Sequence, residues 1–359
     1  MHYSDYLQTE KILNAQFPES DRLNLAAHDE MLFIIIHQTY ELWFKQLLYE
    51  VNSVNEIMLK PALNDNSPEL QTVVHRLVRC TTILKLLVHQ IDIMETMTPM
   101  DFLDFRDMLR PASGFQSVQF KMLEARLGLR FEDRYGQNYY TSQLRNSEID
   151  NVKNAEQGIS LLQLVNAWLE RMPFFDEPAN WKDFNVDTAI LGMGEQTPAA
   201  AGITIADKQP QIHIYWEAYR NAYSNSLASK EAANLEMFDA VFFNGNTAGQ
   251  LSAKACRAAL FIMLYRGYPV LQLPFQLLNN LLEIDEQLST WRYRHMSMVH
   301  RMIGMRIGTG GSTGKDYLAA ALNKHYIFKD LAALTSFLIE RRKLPQLPLP
   351  MEKRLGFIH

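Results

Sequence analysis

The chain of 359 residues has only two cysteines, Cys80 and Cys256, and it lacks long apolar runs. Both cysteines lie alone in apolar helical patterns. We therefore expect neither a disulfide framework nor a thiolate zinc site, and a reducing compartment. The longest apolar runs, such as residues 31–36, are too short to span a bilayer. The polar start over residues 1–5 lacks the apolar stretch of a signal peptide. These absences predict a soluble, cytoplasmic protein with no membrane partner.

An excess of charge of one sign is also missing. The chain carries 35 Lys and Arg against 40 Asp and Glu, a formal net charge of −5, and the two signs are mixed along the sequence. No basic patch predicts a nucleic-acid partner, and no acidic tail indicates disorder. Hydrophobic residues make up 47% of the chain. That share is enough for a large core in one domain, or in one domain with a subdomain.

Alternating strand patterns and fixed-period repeats are absent, whereas helical periodicity runs through most of the chain. Residues 28–59 place apolar side chains close to a 3.6-residue rhythm. Ser67-Pro68 and Thr98-Pro99 each open a further helix, with a capping hydroxyl followed by proline in the first turn. Other helices are expected near residues 116–128, 151–171, 211–240, 249–266, 273–304, 313–323 and 325–340. The sequence therefore predicts an all-α fold.

Two stretches interrupt the helical pattern, and we predict both as loops. Residues 129–150 are polar and aromatic, and residues 174–210 hold prolines, glycines and alanines. Helical segments lie between and after them. We therefore predict a single domain over residues 1–359, with a small helical subdomain inserted at about 145–240.

His37 is the first candidate for a functional site, because Phe33 lies four residues earlier on the same helix face. A histidine in such an apolar pattern is commonly a core residue whose ring is hydrogen bonded. The sharper interpretation is a pocket wall, in which an aromatic ring and an imidazole lie side by side. The pattern alone leaves both interpretations open.

His295 is the second candidate, because it lies in a helical segment rich in methionine. Met298, Val299 and Met302 follow on its face and make its surroundings apolar. A core histidine fits this pattern, and so does a helical ligand of haem iron. No Cys-x-x-Cys-His motif occurs, so haem would be bound without covalent attachment. Zinc is not expected, because no acidic residue lies at ligand spacing between His295 and His300.

A glycine-rich run over residues 308–315 follows His295 by about three helical turns. It departs from the Walker phosphate-binding pattern at Thr309, where glycine is required, and at Asp316, where a hydroxyl residue is required. A loop of this type presents backbone N–H groups and the Thr309 hydroxyl to a small ligand. A simple turn between two helices explains the same residues equally well.

Taken together, these segments resemble the tryptophan 2,3-dioxygenase family. The match is spread over most of the chain, and its order and spacing make it highly specific. It includes Tyr3-Ser-Asp-Tyr6-Leu, His28-Asp-Glu-Met-Leu-Phe-Ile-Ile-Ile-His37-Gln, Glu41-Leu-Trp-Phe-Lys-Gln46, Ser113-Gly-Phe-Gln-Ser117, Ala167-Trp-Leu-Glu-Arg171, Pro274-Phe-Gln-Leu-Leu278 and the run from His295 to Gly314.

The resemblance implies a haem-binding helical bundle, with haem b as the cofactor and O2 as the co-substrate. The implied reaction opens the indole C2–C3 bond of L-tryptophan to give N-formylkynurenine, the first step of tryptophan catabolism by the kynurenine pathway. It also implies a homotetramer, in which Tyr3 and Tyr6 of the N-terminal segment help to complete a neighbouring subunit's pocket.

The resemblance also assigns roles within the pocket. His295 matches the family's axial ligand of the haem iron. His37 matches the catalytic histidine that meets the indole N–H group, and Phe33 matches an aromatic wall of the substrate pocket. Thr309 matches the residue that engages the ammonium group of the substrate.

Lys121 departs from the family pattern. By its own pattern it is a solvated surface lysine, but the family has an arginine there that grips the substrate carboxylate. Lysine offers a compact charge in place of a planar fork, and losing one charge-assisted hydrogen bond costs roughly 1.5–3 kcal/mol, about 10- to 150-fold in binding. This departure motivates an alternative, an oxygenase of the same family acting on a modified tryptophan or another indole. A third hypothesis is a haem-binding sensor or carrier without turnover.

Overall fold

A computed structural model describes residues 1–61, 63, 67–134, 142–184, 212–304, 306 and 324–356. Within these ranges the chain forms α-helices and short 3₁₀ helices, and no β-strand occurs. The predicted all-α fold is therefore confirmed. No helix of the described ranges is both long enough and apolar enough to cross a membrane.

The helices follow one another along the described parts of the chain. The α-helices are α1 (Tyr3–Leu7), α2 (Thr9–Leu13), α3 (Glu19–Arg22), α4 (Asp29–Met58), α5 (Pro68–Met94), α6 (Pro99–Arg106), α7 (Val118–Leu127), α8 (Asn146–Gln157), α9 (Leu161–Glu170), α10 (Ile214–Ser224), α11 (Ala233–Phe242), α12 (Ala253–Leu264), α13 (Pro269–Ile303), α14 (Lys329–Ala333) and α15 (Leu349–Leu355). The 3₁₀ helices are Asp107–Leu109, Gly114–Gln116, Phe131–Asp133, Pro178–Trp181, Ser229–Glu231, Leu334–Phe337 and Arg341–Lys343.

Several boundaries differ from those predicted. The segment 151–171 is divided into α8 and α9, because Gly158 takes an extended conformation (φ −72°, ψ 158°) and ends α8. The segment 211–240 is likewise divided into α10 and α11. α8 begins at Asn146, inside the stretch predicted as a loop. The helix predicted over residues 313–323 lies outside the described residues.

The chain divides into two compact units. The first unit is made of Met1–Glu56, His75–Leu162 and Glu283–Ile327, and the second is made of Ile57–Val74, Gln163–Leu282 and Phe328–His359. The second unit has an aromatic core, formed by the buried side chains of Tyr215, Trp216, Tyr219, Tyr223, Phe238, Phe242 and Phe261. The single domain with a subdomain at about 145–240 stays a prediction.

In the first unit, α4 packs against α5 through apolar side chains and through polar bonds that join the two helices. The buried apolar residues of the two helices include Leu47, Val51, Leu77, Leu84 and Ile91. The Tyr40 hydroxyl donates to the Leu87 carbonyl at 2.8 Å. Arg79 pairs with the buried Glu50 carboxylate at 2.7 Å. A buried carboxylate needs such a partner, so this pair fixes how α5 lies along α4.

α13 and α7 complete this unit. Arg294 of α13 pairs with Asp92 at 2.7 Å and with Glu95 at 2.8 Å, which anchors α13 to the end of α5. Gln119 of α7 donates through Nε2 to the Glu41 backbone carbonyl and to its Oε2, both at 2.9 Å. These bonds bring α4, α5, α7 and α13 together, and the candidate site lies among them.

Candidate active site

A cavity of about 590 Å³ lies in the first unit. Its walls are mostly apolar and include Phe44, Ile91, Met94, Met97, Phe102, Phe120 and Trp291. Four residues that were singled out from the sequence line this cavity: Phe33, His37, Lys121 and His295. Because they come from α4, α7 and α13, only the folded chain collects them.

The His37 ring has a defined pattern of donor and acceptor. Its Nδ1 lies 2.7 Å from the Phe33 backbone carbonyl, within the first turns of α4. A carbonyl only accepts, so Nδ1 carries the proton and Nε2 is left as the acceptor of the ring. Burial lowers the pKa of His37 and outweighs the Phe33 carbonyl and Glu41, which both act to raise it. The ring is therefore neutral near pH 7 and suited to accept a hydrogen bond.

Phe33 forms an aromatic wall beside that imidazole. The two ring centroids are 4.1 Å apart, with an angle of 34° between the ring planes. Phe102 and Phe105 of α6 also pack against the Phe33 ring, with centroids at 5.7 Å and 5.6 Å. Aromatic contacts of this kind give a flat, apolar surface next to a polar atom. The pocket wall, one of the two interpretations of the His37 pattern, fits this arrangement.

His295 lies on α13 among apolar and sulfur-containing side chains. Its ring is parallel to that of Trp291, with centroids 5.2 Å apart and 2° between the planes. Met298, Val299 and Met302 line the same cavity. The surroundings are therefore soft and apolar, as their spacing along the sequence predicts.

The His295 imidazole is kept neutral. Burial, with a smaller contribution from the charge of His37, lowers its pKa to about 4. Its Nδ1 is buried and has no hydrogen-bond partner among the described residues. A neutral imidazole on a helix, facing an apolar cavity, is the kind of ligand that haem iron takes. These residues fit a haem.

Lys121 is not the solvated surface residue that its own pattern indicates, since only 8% of its surface is exposed. Ser117 caps α7 and accepts from the Phe120 N–H at 3.4 Å. The short 3₁₀ helix before this cap, Gly114–Gln116, turns the Phe115 carbonyl toward the lysine, and Nζ donates to it at 2.5 Å. The amine has three donors, so further donors are left for a ligand in the cavity.

The surroundings of Lys121 have opposing effects on the pKa of its amine. Burial lowers the pKa of the amine to about 8, and Arg134 also lowers it. Glu124 and Glu41 act in the opposite direction. The ammonium form therefore dominates at neutral pH and is lost as the pH rises through about 8.

A polar cluster along the cavity was missed by the sequence reasoning. Glu124 accepts from Arg134 at 2.6 Å and from Arg292 at 2.7 Å, and His325 Nδ1 lies 3.5 Å away. All four line the cavity. One signal was available, because Glu124 lies three residues after Lys121 on a helix and shares its face.

Three predicted site residues remain: Tyr3, Tyr6 and Thr309. Tyr3 and Tyr6 are on α1, with 73% and 71% of their surfaces exposed, and they do not line the cavity of their own chain. Thr309 and the glycine-rich run 308–315 lie outside the described residues.

These features place the chain in the class of helical proteins with an interior cavity suited to a small molecule. The family model described as Tryptophan 2,3-dioxygenase matches residues 1–338, and this chain belongs to that family. The resemblance seen in the sequence is therefore confirmed.

Relatives from bacteria and eukaryotes agree with the family model. A tryptophan 2,3-dioxygenase of Bdellovibrio bacteriovorus is 45% identical, over 99% of this chain and 98% of its own length. One of Dictyostelium discoideum is 43% identical over 99% and 88%, and one of Xenopus laevis is 40% identical over 98% and 86%. Neither the family nor these names favour the alternative of a modified indole substrate.

Proposed function

We propose that this protein is a haem-dependent dioxygenase that cleaves the indole C2–C3 bond of L-tryptophan with O2 to give N-formylkynurenine. Family membership supports the reaction class. The observation that carries the proposal for this chain is the cavity that collects Phe33, His37, Lys121 and His295 from three helices. A cytoplasmic location, suggested by the scarcity of cysteine, is part of the same proposal.

Haem b is the proposed cofactor, and His295 would be the residue that holds its iron. The neutral imidazole, the apolar cavity and a buried Nδ1 without a partner among the described residues support this assignment. When bound, haem supplies the activation of O2, which protein side chains do not perform. The protein contributes the ligand, the dry walls and the position of the substrate.

His37 and Phe33 are proposed to hold the indole ring. Nε2 of His37 accepts the indole N–H, since the proton of that ring is on Nδ1, toward the Phe33 carbonyl. The Phe33 ring packs against the indole and excludes water from it. Holding the ring at one place brings C2 and C3 to the reaction site, which is a positioning effect.

Lys121 is proposed to bind the substrate carboxylate. Its ammonium group is buried at the cavity wall and donates a hydrogen bond to the Phe115 carbonyl. The side chain therefore loses little conformational freedom when it binds a carboxylate. Thr309 is proposed to engage the ammonium group of the substrate, as the family resemblance implies. Together they would bind both charged groups of a free amino acid.

A homotetramer is proposed as the assembly. Exposed apolar residues of α4 recur at spacings of four and seven along one helix face: Met31, Ile35, Leu42 and Tyr49. Exposed apolar residues repeated along one face are typical of a protein–protein interface. In this assembly the exposed Tyr3 and Tyr6 would help to complete a neighbouring subunit's pocket.

The proposed function is tested with purified protein reconstituted with haemin. A Soret band should appear, and L-tryptophan should shift it. After reduction with dithionite and exposure to air, N-formylkynurenine should form from L-tryptophan, detected by mass spectrometry. Product from tryptamine alone would instead support the alternative substrate. Haem binding without consumption of O2 would support the sensor or carrier.

Replacement of His37 by alanine is expected to lower kcat/KM for L-tryptophan about 10- to 100-fold without abolishing turnover, because one oriented hydrogen bond is lost. Steady-state kinetics measure the effect. His37→Gln keeps an acceptor and should lose less. Complete loss of turnover in His37→Ala, with haem and substrate still bound normally, would contradict a positioning role.

The KM for L-tryptophan is expected to rise as the pH increases above about 8. The pKa of Lys121 lies at about 8, so the cation that binds the carboxylate is lost above that pH. KM is measured between pH 6.5 and 9.5, with Lys121→Arg as the control. A guanidinium stays protonated in this range, and titration of the substrate is common to both proteins. A KM that changes equally in both proteins would rule out Lys121 as the titrating group.

A further inference from the structure

We propose that Glu124 is a positioning residue that acts through Lys121: its carboxylate keeps the neighbouring amine cationic and ties it to the helix that carries His295. This inference rests on the proposed function, because it concerns the group that would bind the substrate carboxylate. It assigns a role to a buried acid to which the sequence assigned none.

Glu124 is the centre of a buried ion-pair cluster. Only 3% of its surface is exposed, and it lies one helical turn after Lys121 on α7. Oε2 accepts from Arg134 Nη1 at 2.6 Å, and Oε1 accepts from Arg292 Nη2 at 2.7 Å. A buried carboxylate with both oxygens held by arginine has a fixed position.

The two arginines connect this carboxylate to both sides of the cavity. Arg134 also donates through Nη2 to the backbone carbonyl of Lys121 at 2.9 Å and through Nε to Glu156 at 2.8 Å. It therefore anchors the helical turn that carries Lys121. Arg292 lies on α13, three residues before His295. The ion pairs thus link the proposed carboxylate-binding amine to the helix of the proposed iron ligand.

The charge of Glu124 has a second consequence. Burial acts to raise the pKa of this acid, but Arg134, His325 and Arg292 hold it well below its usual range. Glu124 therefore stays ionised throughout the neutral and alkaline range. Its negative charge raises the pKa of the Lys121 amine and so offsets part of the lowering caused by burial and by Arg134.

Three charged groups of the described residues act on Lys121. Glu124 and Glu41 favour the protonated amine, with Glu124 the stronger of the two, and Arg134 disfavours it. The uncharged Phe115 carbonyl accepts a hydrogen bond from its Nζ. Without the charge of Glu124, the pKa of Lys121 falls and a larger share of the amine is neutral. This role is specific to a lysine, since an arginine at the same position would not titrate.

Glu124→Gln tests the inference, because it removes the charge and keeps the shape. The dissociation constant of L-tryptophan is measured by titration calorimetry on the haem-loaded protein between pH 5.5 and 9.5. In the wild type, binding should weaken around a midpoint near pH 8. In the variant the midpoint should fall by at least about one pH unit, which weakens binding at pH 8 at least about fivefold. Binding should recover at lower pH.

A double variant separates this role from a general structural one. In the background Lys121→Arg, Glu124→Gln should produce no shift of any midpoint, because the titrating amine is gone. A shift that persists in this background would overturn the inference, and so would an unmoved midpoint in Glu124→Gln alone. Glu41→Gln serves as the matched control and should move the midpoint less than Glu124→Gln.

If Glu124→Gln does not fold, Arg134→Gln tests the same balance with the opposite sign. Loss of this cation should raise the midpoint above that of the wild type, and an unchanged or lower midpoint would reject the inference. A wild-type protein that fails to bind L-tryptophan at every pH would reject the proposed function together with this role. Normal binding with an unmoved midpoint would reject the role of Glu124 alone.

Discussion

The variant His295→Ala is expected to lose its haem. The affinity for haemin should fall at least about 100-fold, since removal of an axial ligand costs more than the 10- to 100-fold typical of groups that only support a ligand. Formation of N-formylkynurenine should fall below detection with it. The absorbance spectrum after reconstitution and gel filtration measures the loss. The physical reason is that the apolar walls of the cavity supply packing, whereas the imidazole supplies the bond to iron.

His300→Ala is the matched control for this prediction. His300 lies five residues further along α13 and is exposed, so its replacement should leave the Soret band unchanged. Imidazole added to the His295→Ala protein should restore part of the band, because a small base can enter the space left by the side chain. Full retention of haem by His295→Ala, with an unaltered spectrum, would remove the basis of the proposed function.

The helical fold could be predicted because its signals are local. Apolar residues recur every three to four positions, and hydroxyl–proline pairs open α5 and α6. The same local geometry predicts the Phe33 and His37 pair, since residues four apart share a face. Helix boundaries are harder to predict. Gly158 takes an extended conformation and ends α8, although the apolar period continues on both sides of it.

The polar cluster could not be predicted, because its partners are far apart along the chain. Glu124 and Arg292 are separated by 168 residues, yet their side chains lie 2.7 Å apart. No periodic pattern encodes such a contact. The burial of Lys121 is hidden for a similar reason. It depends on how the short 3₁₀ helix before α7 turns the Phe115 carbonyl toward Nζ, and the apolar period of the sequence does not encode that contact.

Replacement of Lys121 by methionine is expected to raise the KM for L-tryptophan about 10- to 150-fold, corresponding to roughly 1.5–3 kcal/mol for one charge-assisted hydrogen bond. The value of kcat should change little, because the carboxylate is held equally before and during the reaction. Methionine keeps most of the length and apolar bulk of lysine, which limits damage to the buried site. Lys121→Arg should lower KM, since a planar fork offers the carboxylate two hydrogen bonds.

Tryptamine distinguishes binding of the carboxylate from support of the fold. It keeps the indole and the ammonium group but has no carboxylate, so Lys121→Met should bind it as well as the wild type does. A loss of the same size for L-tryptophan and tryptamine would show that the lysine only maintains the structure. A loss confined to L-tryptophan would assign the carboxylate to this amine. Lysine in place of the family's arginine would then bind the same amino acid more weakly. Its binding would depend on pH, because the pKa of Lys121 lies at about 8.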